Sequence, residues 1–270
     1  MKYPIQKKKF RKKFRKRKFK PIPRLVVPSF FTLMNLLCGF ASVLLVFEGN
    51  LMMGAWLIVL AGMFDVLDGF MARIANATSE FGTELDSISD VVSFGVAPGF
   101  LVYAFAFHEL GFAGILLSGL APVCSAIRLA RYNVESKIQE LDFFRGLPTP
   151  SFAIMLAAFY LTFMNRMELF EAFEHGVLSV LIPIVILLSF LMVSTVPFDK
   201  IPNFDRESLR RHKNRLILLG VYFIIIVIFQ DIGLMIVFSF FILKGIMLGL
   251  YIFWKQAFTE DPDPMEEVLP

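Results

Sequence analysis

Only two cysteines and three histidines occur among the 270 residues. Cys38 and Cys124 each lie inside an apolar run and read as small hydrophobic side chains, which excludes a disulfide framework or a thiolate metal site. No histidine cluster has zinc-ligand spacing, and no Gly-x-x-x-x-Gly-Lys stretch offers the phosphate loop of a soluble nucleotide enzyme. The longest polar connections, 132–148 and 199–215, are too short to build a core of their own, so no soluble domain is expected. Internal repeats are absent. The first 25 residues lack serine, and no small-residue cleavage site follows the next apolar run; neither a transit peptide nor a secretory signal is expected.

What is present is apolar. Hydrophobic residues make up 57% of the chain, 32 of them Phe, with a mean hydropathy of +0.68. Soluble domains run nearer to about 45–50%. Eight segments reach or approach the roughly 20 apolar residues of a spanning helix: 29–47, 51–74, 88–108, 112–128, 150–164, 177–196, 216–229 and 234–254. Brief turns such as Glu48-Gly49-Asn50 and Gln230-Asp231-Ile232-Gly233 suit antiparallel neighbours. The expectation is an all-α, polytopic integral membrane bundle of about eight helices.

Charge orients it. Thirteen of the 27 Lys and Arg residues precede Val26, and the links 73–87, 129–149 and 197–215 and the tail hold nearly all the others. The alternate connections carry Glu48, Glu109, Glu168, Glu171, Glu174 and Asp231, with Arg166 their one base. With eight spans every basic segment falls on one side, which places both termini in the cytoplasm. In the arm, Phe10, Phe14 and Phe19 can dip into the membrane interface while the cations meet anionic lipid, each worth about 1 kcal/mol. Membrane lipids are thus the expected partner of the arm, and nucleic acid is not.

Against this background four carboxylates stand out: Asp65, Asp68, Asp86 and Asp90. One Asp at the centre of a membrane helix costs roughly 2.5–3.5 kcal/mol, and four facing lipid would cost on the order of 10 kcal/mol. They must face one another, water or cations. Asp65 and Asp68 are three apart and Asp86 and Asp90 four apart, so each pair shares a helical face, and the link between them makes a hairpin at the cytoplasmic interface. Clustered hard oxygens select Mg²⁺, Mn²⁺ or Ca²⁺. Gly69, Ala72 and Gly82 remove bulk nearby, and Arg73 offers a planar fork to phosphate oxygens. Intramembrane aspartates also line ion pathways, so a divalent-ion transporter is the rival on spacing alone.

The eight specified positions from Asp65 to Asp90, D-x-x-D-G-x-x-A-R, eight residues, then G-x-x-x-D-x-x-x-D, resemble without departure the signature of the CDP-alcohol phosphotransferase family. The resemblance implies a membrane enzyme that displaces CMP from a CDP-linked alcohol with a second alcohol, using two divalent cations, Mg²⁺ or Mn²⁺. By it Asp65, Asp68 and Asp86 are metal ligands, and Asp90 joins the metal site and serves as general base. Gly69, Ala72, Arg73, Ser79 and Gly82 would contact the CDP-lipid, as would Thr32 and Asn35, for which a helix–helix hydrogen bond is the alternative. A homodimer in the cytoplasmic membrane is also implied. The organisation expected is a basic arm (1–25), a catalytic core (26–165), C-terminal transmembrane helices (166–256) and an acidic tail (257–270).

Four further stretches resemble the phosphatidylserine synthase branch: 28–39, Ser93-Phe-Gly95-Val-Ala-Pro98-Gly99, Ser125-Ala-Ile-Arg128-Leu-Ala-Arg131-Tyr-Asn133, and Phe144-Arg-Gly146-Leu-Pro148-Thr-Pro150. That implies CDP-diacylglycerol and L-serine as substrates, with glycerol 3-phosphate, inositol or an inositol phosphate as alternative acceptors. Arg128 and Arg131, three apart on one face, are candidates for the serine carboxylate or for lipid headgroups. Asn133 joins the acceptor candidates, with a plain helix cap as its alternative. Lys244, in the middle of the last span, has no assigned role.

Overall fold

The structure, a computed structural model, describes residues 26–74, 79–135, 143–199 and 213–258. The basic arm, residues 259–270 of the acidic tail, and Asn76 and Thr78 of the hairpin link lie outside the described residues. Nearly everything described is helix: α1 (Val26–Phe47), α2 (Leu51–Ile74), α3 (Glu80–Asp90), α4 (Ala97–Phe105), α5 (Phe112–Glu135), α6 (Thr149–Phe163), α7 (Leu178–Val193) and α8 (Lys213–Phe258). By length and composition five stretches could cross a membrane: Ser29–Phe47, Leu51–Ile74, Glu80–Phe105, Phe112–Glu135 and Ile217–Lys255. The chain is thus a helical, multi-pass membrane protein.

The expected third span, 88–108, starts earlier. Ser79, in extended conformation, accepts the Gly82 N–H with its side chain at 3.0 Å and caps α3. α3 then runs through a π-helical turn, Val91–Val96, into α4. The expected seventh and eighth spans form one helical run, α8, interrupted at Gln230, the one non-glycine described with positive φ (φ 46°, ψ −113°). The four-residue turn read from the sequence is therefore tighter than its polar letters suggest.

Small residues bring the helices together. Ser42 of α1 donates to the Gly54 carbonyl of α2 at 2.8 Å. Pro122, inside α5, has no N–H for the Ser118 carbonyl four residues back. That carbonyl meets α4 at Gly99, where a Cβ would come within 2.7 Å of it. α6 is buried along almost its whole length and forms the axis of the bundle, packed on α2, α4 and α8. Its Ala153 and Ala157 face Ile58, Phe94 and Leu101, while Phe152, Leu156 and Phe159 meet Leu181 and Met192 of α7. A helix apolar all round is one buried on every side, as α6 is here.

Two three-residue strands, β1 (Phe143–Arg145) and β2 (Pro197–Asp199), pair antiparallel, with Phe144 opposite Phe198. Phe198 is buried, and Gly245 of α8 leaves room for its ring. The strand pair joins the segment before α6 to the segment after α7.

Candidate active site

α2 and α3 deliver the carboxylates to one place. Asp65, Asp68 and Asp86 each present an oxygen within 4.8 Å of the others. Asp68 is 6% exposed, and its Oδ2, like Asp86 Oδ1, is buried with no hydrogen-bond partner among the described residues. Three like charges at this spacing, with oxygens unsatisfied by the protein, form a donor set suited to a hard divalent cation. Asp90 stands beside this trio at 6% exposure. It is held from α1, where Asn35 Nδ2 donates to its Oδ1 at 3.1 Å. Asn35 is fully buried, and Ser93 of the π turn donates to its main-chain oxygen at 2.9 Å. Gly39, one turn along α1, allows this: a Cβ there would collide with Ser93. Thr32, one turn the other way, hydrogen-bonds Asp68. Thr32 and Asn35 of α1 thus order one carboxylate each.

On α2, Arg73 Nε donates to the Gly69 carbonyl at 3.0 Å, and the side chain is exposed. A Cβ on Gly69 would have only the Arg73 Nη2 near it, at 3.9 Å. Among the described residues, then, no helix packing demands glycine at 69, in contrast to Gly39 and Gly99. Ala72, half-buried, lies one turn along from Gly69, and Gly82 sits in the first turn of α3 with its N–H on Ser79.

Arg128 is 5% exposed and reaches toward the carboxylates, close enough to interact with Asp90 and Asp65. Its guanidinium lies over the Phe144 ring, 5.8 Å from the centroid, and Nη1 meets Thr149 Oγ1 at a long 3.4 Å. Among the described residues Nε is buried with no hydrogen-bond partner. A cation so enclosed and so loosely tied has donors in reserve for an anion. Arg131 is placed differently, with its guanidinium wrapped by three main-chain carbonyls. Asn133 Nδ2 donates to Ser87 Oγ of α3 at 2.9 Å and lies 3.4 Å from Glu84 Oε2, so it ties α5 to α3.

Ser93, Phe144 and Thr149 enter the site without having been singled out. All three lie inside stretches already conspicuous in the sequence, but nothing in their spacing distinguishes a site residue from a packing one.

A model of the family described as CDP-alcohol phosphatidyltransferase matches residues 25–198. The chain is similar to a CDP-diacylglycerol–serine O-phosphatidyltransferase of Helicobacter pylori, 30% identical over 88% of this chain and 97% of that protein. It is also similar to an archaetidylserine synthase of Methanothermobacter thermautotrophicus, 35% identical over 68% of this chain and 74% of the relative. A third relative, a CDP-diacylglycerol–serine O-phosphatidyltransferase of Bacillus subtilis, is 34% identical over 67% of this chain and 93% of its own length.

Proposed function

The chain belongs to the CDP-alcohol phosphatidyltransferase family, and on that premise we propose that it transfers a phosphatidyl group from CDP-diacylglycerol to L-serine, releasing CMP. The observation that carries this reading is the carboxylate trio Asp65, Asp68 and Asp86, with an oxygen of Asp68 and one of Asp86 unpartnered among the described residues, next to the buried Arg128. Two of the three relatives above bear the name of that serine reaction, and the third is named for a serine lipid.

Asp65, Asp68, Asp86 and Asp90 would hold two divalent cations, Mg²⁺ or Mn²⁺, which would neutralise charge on the pyrophosphate and on the departing CMP. The chain's own groups do the rest. The open face at Gly69 and Ala72 admits the cytidine, and Arg73 meets the pyrophosphate oxygens as a fork. Ser79 and Gly82 border the same opening from the start of α3. Asp90, steadied by Asn35, accepts the proton of the acceptor hydroxyl as that oxygen bonds to the phosphorus nearest the diacylglycerol and the bond to CMP breaks. A serine hydroxyl is a weak nucleophile at neutral pH, so a base beside it is needed. Arg128 and the Thr149 hydroxyl receive the serine carboxylate, and Asn133 fixes α5 against α3 beneath them.

The chain is read as crossing the cytoplasmic membrane eight times, as a homodimer, with both termini and the site on the cytoplasmic side. The break at Gln230, which divides the long apolar run of α8 in two, supports the count. The one-sided distribution of Lys and Arg supports the orientation.

The test is transfer by purified protein in lipid, supplied with CDP-diacylglycerol, Mn²⁺ or Mg²⁺, and labelled serine, glycerol 3-phosphate, inositol or inositol phosphate in turn. Phosphatidylserine with stoichiometric CMP is expected from serine alone. Product from a different acceptor would overturn the serine assignment, and no lipid product from any would overturn the transfer reading.

A further inference from the structure

Arg131 lies one helical turn beyond Arg128 on α5, yet it points into main chain. Nη1 donates to the Val193 carbonyl at 2.7 Å, and Nη2 to those of Ser194 at 2.9 Å and Arg145 at 3.0 Å. Val193 and Ser194 end α7, where carbonyls lack intrahelical donors and carry the negative end of the helix dipole. Arg145 ends β1. One guanidinium therefore joins α5, the end of α7 and the segment that enters α6.

The joint is tight. Gly146 has φ 80°, and a Cβ there would collide with the Met192 and Ser194 carbonyls and crowd Arg131 Nη2. The Gly146 N–H donates to the Val196 carbonyl at 2.8 Å and the Leu147 N–H to that of Leu191 at 2.9 Å. Immediately before and after this joint come the two residues that touch Arg128, namely Phe144 under its guanidinium and Thr149 at its Nη1. Among the described residues Arg128 has a buried Nε without a hydrogen-bond partner and one long hydrogen bond, to Thr149, so the walls around it help to set its orientation.

We propose that Arg131 is a positioning residue for the acceptor, a clamp on main chain that holds residues 143–149 so that Phe144 and Thr149 aim Arg128 beside Asp90. The inference rests on the proposed function, in which Arg128 receives the acceptor's anionic group. Through the clamp, the end of α7 shapes an acceptor pocket that belongs to α5 and α6.

The experiment uses the full chain in lipid nanodiscs. Arg131→Ala and Gly146→Ala should each raise the acceptor KM about tenfold while the CDP-diacylglycerol KM moves less than about twofold, and the double variant should be no worse than the more severe single one, since both open the same joint. Amide hydrogen exchange at 146 and 147 should quicken by about tenfold in Arg131→Ala. Loss of a direct acceptor contact would not do that. Should Arg131→Ala fail to fold, Arg131→Lys decides, because an ammonium keeps the charge and loses the planar fork. Unchanged exchange at 146 and 147, an unchanged acceptor KM, or multiplying effects in the double variant overturns the proposal. Exchange is read without any acceptor, so an error in the acceptor's identity appears in wild-type turnover and leaves this outcome distinct.

Discussion

The Asn35 amide reaches across 55 residues of sequence, from α1 to α3, to donate to Asp90 Oδ1 at 3.1 Å. An ionised carboxylate can only accept, so Nδ2 is fixed as the donor, and Asn35 Oδ1 is left buried with no partner among the described residues. The bond fixes the orientation of the Asp90 carboxylate. Asn35→Ala should lower the rate of phosphatidylserine formation by about 10–100-fold, the usual loss when a partner that orients a site ligand is removed. Asn35→Asp should fall further, because it sets a second carboxylate against the first. Initial rates at saturating substrates give the order, and Asp slower than Ala is the expected result.

Gly39 and Gly69 should respond oppositely to the same methyl group. At Gly39 a Cβ meets Ser93 itself, and Gly39→Ala should cost about 1–3 kcal/mol by overpacking, read as a lower unfolding midpoint with turnover reduced in step. At Gly69 the nearest atom is the far end of Arg73. Gly69→Ala should hold or raise stability, since Gly in a helix interior costs roughly 0.5–1 kcal/mol relative to Ala. The CDP-diacylglycerol KM should nonetheless rise. A stable Gly69→Ala with an unchanged KM would remove the nucleotide from that face.

How the site could be read in the sequence follows from the reach of each interaction. The carboxylates stand three and four apart on their helices, and a helix turns that spacing directly into a shared face. Arg131 bonds carbonyls 14, 62 and 63 residues away, and carbonyls belong to every residue, so no letter marks them. Ser93 is hidden for the same reason, since it bonds the main chain of Asn35. In the fold, residues 80–87 read as a polar link because Glu80, Glu84 and Asp86 interrupt hydrophobicity, yet the Ser79 cap and the carboxylate site make them the first turns of a span.

Ser79 carries two readings that one pair of variants separates. As the cap of α3 it takes the Gly82 N–H, and Ser79→Ala should cost about 1 kcal/mol of stability. Ser79→Asp restores a good cap and adds a negative charge. If the residue borders the pyrophosphate, Ser79→Asp should show wild-type stability and a raised CDP-diacylglycerol KM; equal KM values for the two variants would leave it the cap alone.

Removal of divalent ions should abolish turnover, and Mn²⁺ or Mg²⁺ should restore it. Asp68→Asn keeps the shape of the trio and lowers its charge, so the ion concentration for half-maximal rate should rise about tenfold or more. Calorimetric titration of metal into the protein without substrate should show the same weakening. An unaltered metal isotherm in Asp68→Asn would place the ion elsewhere.

Gln230 tests the course of the chain through the membrane. Its φ of 46° is a conformation that costs a non-glycine residue about 1–3 kcal/mol, and it falls where α8 must divide if the chain spans eight times. Gln230→Gly should therefore raise the unfolding midpoint, and the β-branched Gln230→Val should lower it. Position also has a chemical readout. The break lies beside Thr162 of α6, whose hydroxyl meets the Asp231 carbonyl at 3.3 Å, at the end of α6 opposite Thr149 and the carboxylates. With Cys38 and Cys124 replaced by Ala, Gln230→Cys should react with a membrane-impermeant maleimide added outside intact cells. Labelling only in inverted vesicles would turn the molecule over and put the carboxylates on the far side from the cytoplasm.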